Sequence, residues 1–195
     1  VDGRELGERP EAGQVTKNWL AFQVGTHLFW SVKLVPGHRV LESTQAGDTW
    51  SAKSAYYTPT PQALAVVLQL GSTGEVHGGA NPVLVKAIQS PSRRQYFLSL
   101  VHVVNEADPA VDYANHAVAF SSSAPFAVLG ASQRIPLQNT LEDHACARPV
   151  AFASGVAVQG QGASSEVIIT YGVCDREARV FRTGMGELEE RFVWF

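Results

Sequence analysis

Apolar residues fall in short runs along this chain, and turn chemistry interrupts each run. LAFQV (20–24), HLFWSVKL (27–34) and HRVLE (38–42) come first. Val24-Gly25-Thr26 and Pro36-Gly37 break them, and Pro-Gly is a strong turn signal. Residues 43–62 read as a loop with two prolines near its end. ALAVVLQL (63–70) has no polar face before Gln69, so it is a buried strand or a short helix, and periodicity alone does not separate the two. A Gly-rich stretch, GSTGEVHGGANP (71–82), follows. The later runs are PVLVKAI (82–88), QYFLSLVHVV (95–104), ANHAVAF (114–120), PFAVLGA (125–131), PVAFASGVAV (149–158), EVIITYGV (166–173) and EARVFRT (177–183). The tail GELEERFVWF (186–195) reads as one helical turn at its start. Nothing has the length or caps of an amphipathic helix, and β-branched and aromatic residues dominate the runs. The pattern predicts an all-β chain.

A coarse repeat lies in the same pattern. HLFWSVKL, QYFLSLVHVV and EVIITYGV start near 27, 95 and 166, about 70 residues apart. Each follows an apolar strand (LAFQV, PVLVKAI, PVAFASGVAV) and precedes a more polar one. A repeat of this size, built from three or four short antiparallel strands, predicts propeller blades; a β-sandwich is the alternative.

Composition narrows the classes. The 195 residues are 45% hydrophobic and only 17% charged, which is globular and charge-poor. The net charge of −3 leaves no basic surplus for phosphates, which argues against a nucleic-acid partner. No run of 18 apolar residues occurs, so no membrane span is expected. Residues 1–16 are polar, rich in charge and without apolar period, and read as a flexible segment ahead of a domain over 17–195. The chain opens on Val1 rather than Met and carries no signal peptide, which reads as a piece with something before it. Cys146 and Cys174 exclude a multi-disulfide scaffold and a cysteine-only zinc site; they form one disulfide in a secreted protein, or stand as separate thiols. The reading leans to the secretory pathway or the extracellular space.

Several phrases converge in order. They are Lys17-Asn18-Trp19 followed by Phe22, then Pro36-Gly37-His38-Arg39-Val40-Leu41, then His77-Gly78-Gly79-Ala80-Asn81-Pro82. Phe120-Ser121 with Ala124-Pro125-Phe126 follows, and Thr170-Tyr171-Gly172-Val173-Cys174-Asp175-Arg176 comes last. Across residues 17–183 this order resembles the five-bladed β-propeller proteins of the carbohydrate-active class: glycosidases, mannoside phosphorylases and the propeller modules beside glycosyltransferases. The resemblance implies the later blades only. About three blades of an incomplete five-bladed propeller fit in this length, and nothing in residues 1–16 matches the early blades. Raw strand edges would remain, so a partner chain or a second copy is expected to complete the propeller.

The resemblance also implies carbohydrate as partner and glycoside hydrolysis or glycosyl transfer as activity. A non-catalytic glycan-binding or assembly subunit is the alternative. Hydrolysis by inversion needs two carboxyls roughly 6.5–9.5 Å apart. Glu75, Asp108, Asp112 and Asp175 are candidates, and Asp175 leads because it follows the Tyr171-Gly172 phrase. The plainer reading of Asp175 is a turn residue holding its own backbone. Arg176 binds a sugar or phosphate oxygen, or pairs with Asp175 or Glu177. Lys17 and Asn18 offer hydrogen bonds to sugar hydroxyls, with Trp19 expected in the core. His38, His77 and Tyr171 are assigned to substrate binding; His102, in mid-strand, reads as a core residue. The six histidines show no H-x-x-x-H spacing, so no metal is expected. Gly160-Gln161-Gly162 and Gly184-Met185-Gly186 lack the third glycine of a dinucleotide loop, and no cofactor is expected.

Overall fold

The computed structural model describes residues 18–46, 49–70, 75–86, 95–104, 113–140 and 150–195. The predicted N-terminal segment, Lys17, Asp108, Asp112 and Cys146 lie outside them.

The chain is all-β, as its pattern predicts. The first sheet is a four-stranded antiparallel meander of β1 (Leu20–Val24), β2 (His27–Lys33), β3 (Gly37–Ala46) and β4 (Thr49–Pro59). Gly25, at φ 58, makes the two-residue turn between β1 and β2, where Val24 pairs with His27. A short helix, α1 (Gln62–Val67), leads on and buries Leu64. The second sheet takes β5 (Glu75–Lys86), β6 (Gln95–Val104), β7 (Tyr113–Ser121) and β8 (Val128–Ser132). The third is β9 (Ala151–Gln159), β10 (Glu166–Val173) and β11 (Glu177–Gly184). Helix α2 (Met185–Glu190) then carries the chain back, and β12 (Phe192–Trp194) pairs with β8, so the second sheet has the order β12-β8-β7-β6-β5.

Two elements depart from the expectation. Residues 43–62 are not a loop, because β4 runs through them. TWSAKSAYYTP spaces its aromatic residues among Ser and Ala, and an outer strand of a meander needs no continuous apolar run. The described part of the Gly-rich stretch, residues 75–82, lies in β5, whose pairing with β6 shifts at Gly78/Ala80 and again at Ala80/Val83. Bulges let a strand carry glycines that would otherwise weaken it.

The three repeating runs become β2, β6 and β10, each the second strand of its sheet. The first strands also lie in succession, β1 against β5 and β5 against β9. Among the described residues the sheets do not close into a barrel or ring.

The second sheet is the middle layer. Its strands β6 and β7 are buried along nearly their whole length. Alternation splits their side chains between two cores. Phe97, Phe120 and Phe126, the last in the β7–β8 loop, join Phe22, Phe29 and Val40 of the first sheet. Leu98, Leu100, Ala117 and Ala119 pack toward Val167, Ile169 and Tyr171 of the third sheet. Phe22 is the hub of the aromatic core, with ring centroids 4.8 Å from Phe97, 5.2 Å from Phe126 and 5.3 Å from Phe120. Each such pair is worth about 0.5–1.5 kcal/mol beyond its buried area. Among the described residues no helix is long and apolar enough to cross a membrane.

Candidate functional site

A cleft of about 30 Å³ opens where β1 and β2 of the first sheet meet β5 and β6 of the second. Close approach of the two sheets creates it. A side chain at Gly78 would collide with the backbone carbonyl of Asn18 and come within 2.7 Å of Leu20, so only glycine allows β5 this near β1. Asn18 answers with a left-handed backbone at φ 62, a conformation that asparagine tolerates better than most residues. The Ala21 N–H donates to Asn81 Oδ1 at 3.0 Å and ties the strands together.

The rim of the cleft is polar and the floor mixed. Asn18 and Lys33 are exposed, and His77 is half-buried. Ser31 and Ser99 sit deeper, beside Phe120. Ser99 donates to the Ala80 carbonyl at 2.7 Å. No Asp or Glu lines the cleft among the described residues. Beside Asn18 stands Trp19, 43% exposed, its ring edge-on to Trp30 at 6.3 Å. The expectation of a core Trp19 is therefore corrected. Leu20 and Phe22 point inward, so strand alternation turns Trp19 to solvent.

Two buried histidines, His102 and His38, accompany the one on the rim. His77 faces His102 across the β5–β6 pair, with ring centroids 5.4 Å apart, and lies 3.3 Å from Glu75 Oε2. His102 is wedged between Tyr113 and Phe152, and its buried Nδ1 has no partner among the described residues. Burial, and next the neighbouring His77, bring its pKa down to about 4. His38 is fully buried behind Ser31. Burial takes its pKa down to about 4, so near pH 7 the ring is neutral. Its Nδ1 lies 2.7 Å from the Phe126 carbonyl, which can only accept. Nδ1 therefore carries the proton, and the bare Nε2 accepts from the Ser31 hydroxyl at 2.9 Å.

The predicted site residues divide into two groups. Asn18 and His77 meet at the cleft, and His38 reaches it through Ser31. Tyr171, Asp175 and Arg176 belong to the third sheet. Tyr171 is packed in the core. Asp175 and Arg176 are exposed in the β10–β11 turn, where Cys174 and Asp175 both take φ 54 and the Arg176 N–H donates to the Val173 carbonyl. This left-handed pair accounts for an Asp at the turn. Cys174 in the same turn is disulfide-bonded. Ser31, Lys33 and Ser99 were missed. Alternation in HLFWSVK carried the signal for Ser31, since Phe29 and Ser31 share the inward face. Among the described residues no group of three His, Cys, Asp or Glu is placed to hold a metal ion.

Comparison of the chain with protein-family models, curated proteins and solved structures finds no match.

Proposed function

We propose that this chain is a propeller-type module that binds carbohydrate at the cleft between its first two sheets. The observation that carries the reading is the polar rim of Asn18, Lys33 and His77, with the exposed Trp19 next to Asn18 in the chain. A sugar presents C–H faces that stack on an indole and hydroxyls that exchange hydrogen bonds with amides and imidazoles. Three consecutive antiparallel meanders, with their first strands in succession, support the propeller part of the reading.

Binding is preferred to cleavage because the described lining offers no pair of carboxyls for acid–base work. The role assigned to Asp175 would need a separate site at the third sheet. An assembly role fits the same module: the outer strands β4 and β11 present edges that a partner chain or second copy would cover. The disulfide at Cys174 supports an oxidising compartment.

The test is titration of the full chain with a panel of neutral and acidic oligosaccharides, followed by calorimetry and by tryptophan fluorescence. One sugar class should bind and perturb the fluorescence, and Trp19→Ala should weaken it by about tenfold or more. Equal binding by wild type and Trp19→Ala, or no binding across the panel, would sink the reading.

A further inference from the structure

Ser31 and His38 are more than a satisfied buried pair. The serine hydroxyl donates to an imidazole nitrogen at 2.9 Å, and the other ring nitrogen donates to a fixed carbonyl at 2.7 Å. This is the arrangement of a nucleophile, its base and the group that orients the base, with the Phe126 carbonyl in the third place. The backbone at Phe126 is itself unusual, at φ 59 for a non-glycine residue. Ser31 is the member of the trio that borders the cleft. Val32, which follows it, is the extra residue where β2 slips against β3 between Ser31 and Lys33, and it also borders the cleft. A bulge directly after a serine re-aims the chain there and takes a residue out of regular pairing. The backbone amide following the nucleophile is a common donor to a developing oxyanion.

The geometry points to Ser31 as the nucleophile of a second activity: hydrolysis of small acyl esters, with His38 as its base and the Phe126 carbonyl as orienting group. Ser31 Oγ bonds to the ester carbonyl carbon while its proton passes to His38 Nε2. The carbon–oxygen bond to the alcohol then breaks, and the alcohol oxygen takes that proton, leaving an acylated serine. Water next bonds to the same carbon and gives its proton to Nε2. The bond from carbon to Oγ breaks, Oγ recovers the proton, and a carboxylic acid leaves. A cleft of about 30 Å³ restricts the acyl part to a group the size of acetyl. This inference does not rest on the carbohydrate reading, since no sugar is needed for the chemistry.

The test uses the full chain near neutral pH with a short-alkyl fluorophosphonate and with p-nitrophenyl acetate. Mass-spectrometric mapping should place the phosphonyl group on Ser31. Ester turnover should fall about 100-fold or more in Ser31→Ala and persist in Ser164→Ala and in His27→Gln, an exposed histidine away from the cleft whose loss controls for acylation by a surface imidazole. Failure to label Ser31 in wild-type protein with a native circular dichroism spectrum would overturn the proposal, whatever the variants do. Turnover surviving in a folded Ser31→Ala would overturn it equally.

Discussion

Three histidines are held neutral inside this protein, and they make it sensitive to acid. Burial lowers the pKa of His38 and His102 to about 4 and lowers that of His116 as well. The unfolded chain, with histidines near 6.5, then binds protons that the folded chain refuses. Stability should be complete above about pH 6.5 and fall as the pH drops toward 4, by about 3 kcal/mol for each of His38 and His102. Urea midpoints measured across that window check the expectation; a flat profile would contradict it. Tyr96 works in the opposite sense. Burial first, then Glu189, raise its pKa, so the phenol stays protonated and donates to Glu189 Oε1 at 2.8 Å. Tyr96→Phe removes that donor from a carboxylate that is itself buried, and should cost about 1–3 kcal/mol in urea unfolding. Gly78→Ala should disturb more than its one methyl, because the new carbon meets the backbone carbonyl of Asn18 just ahead of β1. Sugar binding and ester turnover, if both belong to the cleft, should fall together in that variant.

Among the elements, the aromatic core between the first two sheets is the most vulnerable. Phe22→Ala empties its hub and should cost about 3–5 kcal/mol, read from thermal or denaturant unfolding. A loss below about 1 kcal/mol would mean that neighbouring rings collapse into the space. The central strands were the most legible part of the sequence, for a physical reason. QYFLSLVHVV and ANHAVAF lie on the layer covered from both sides, so both sets of alternating positions are apolar. The spacing of β2, β6 and β10 was legible because each starts on a polar residue and reaches aromatic or β-branched residues by its third position. β4 was hidden because an outer strand mixes Ser, Ala and Lys with its aromatics. The helical turn expected at the start of the tail is α2, whereas β12 behind it went unread because its three residues are too few to show a period. The cleft was half legible. Asn18 and His77 stood out as chemistry-bearing residues at turns, whereas Ser31 looked like any serine in a strand. Only the pairing of β2 with β3, and the approach of Phe126 from another sheet, give it a partner.

For the whole molecule, the stack of three sheets means that loss of one outer layer exposes the middle one. The disulfide at Cys174 holds the β10–β11 turn at the rim of the third sheet. Reduction should lower the melting temperature, with a stability loss of about 2–5 kcal/mol; identical melts with and without reductant would show that packing alone secures the turn. The return of the chain through α2 has a consequence for synthesis. The edge of β8 is covered by β12, whose residues lie about sixty positions downstream. While the protein is being made, the central sheet therefore waits with one side bare until the whole third sheet has been translated. During that interval the unfinished molecule offers, at the edge of β8, a template on which a neighbouring nascent strand can pair.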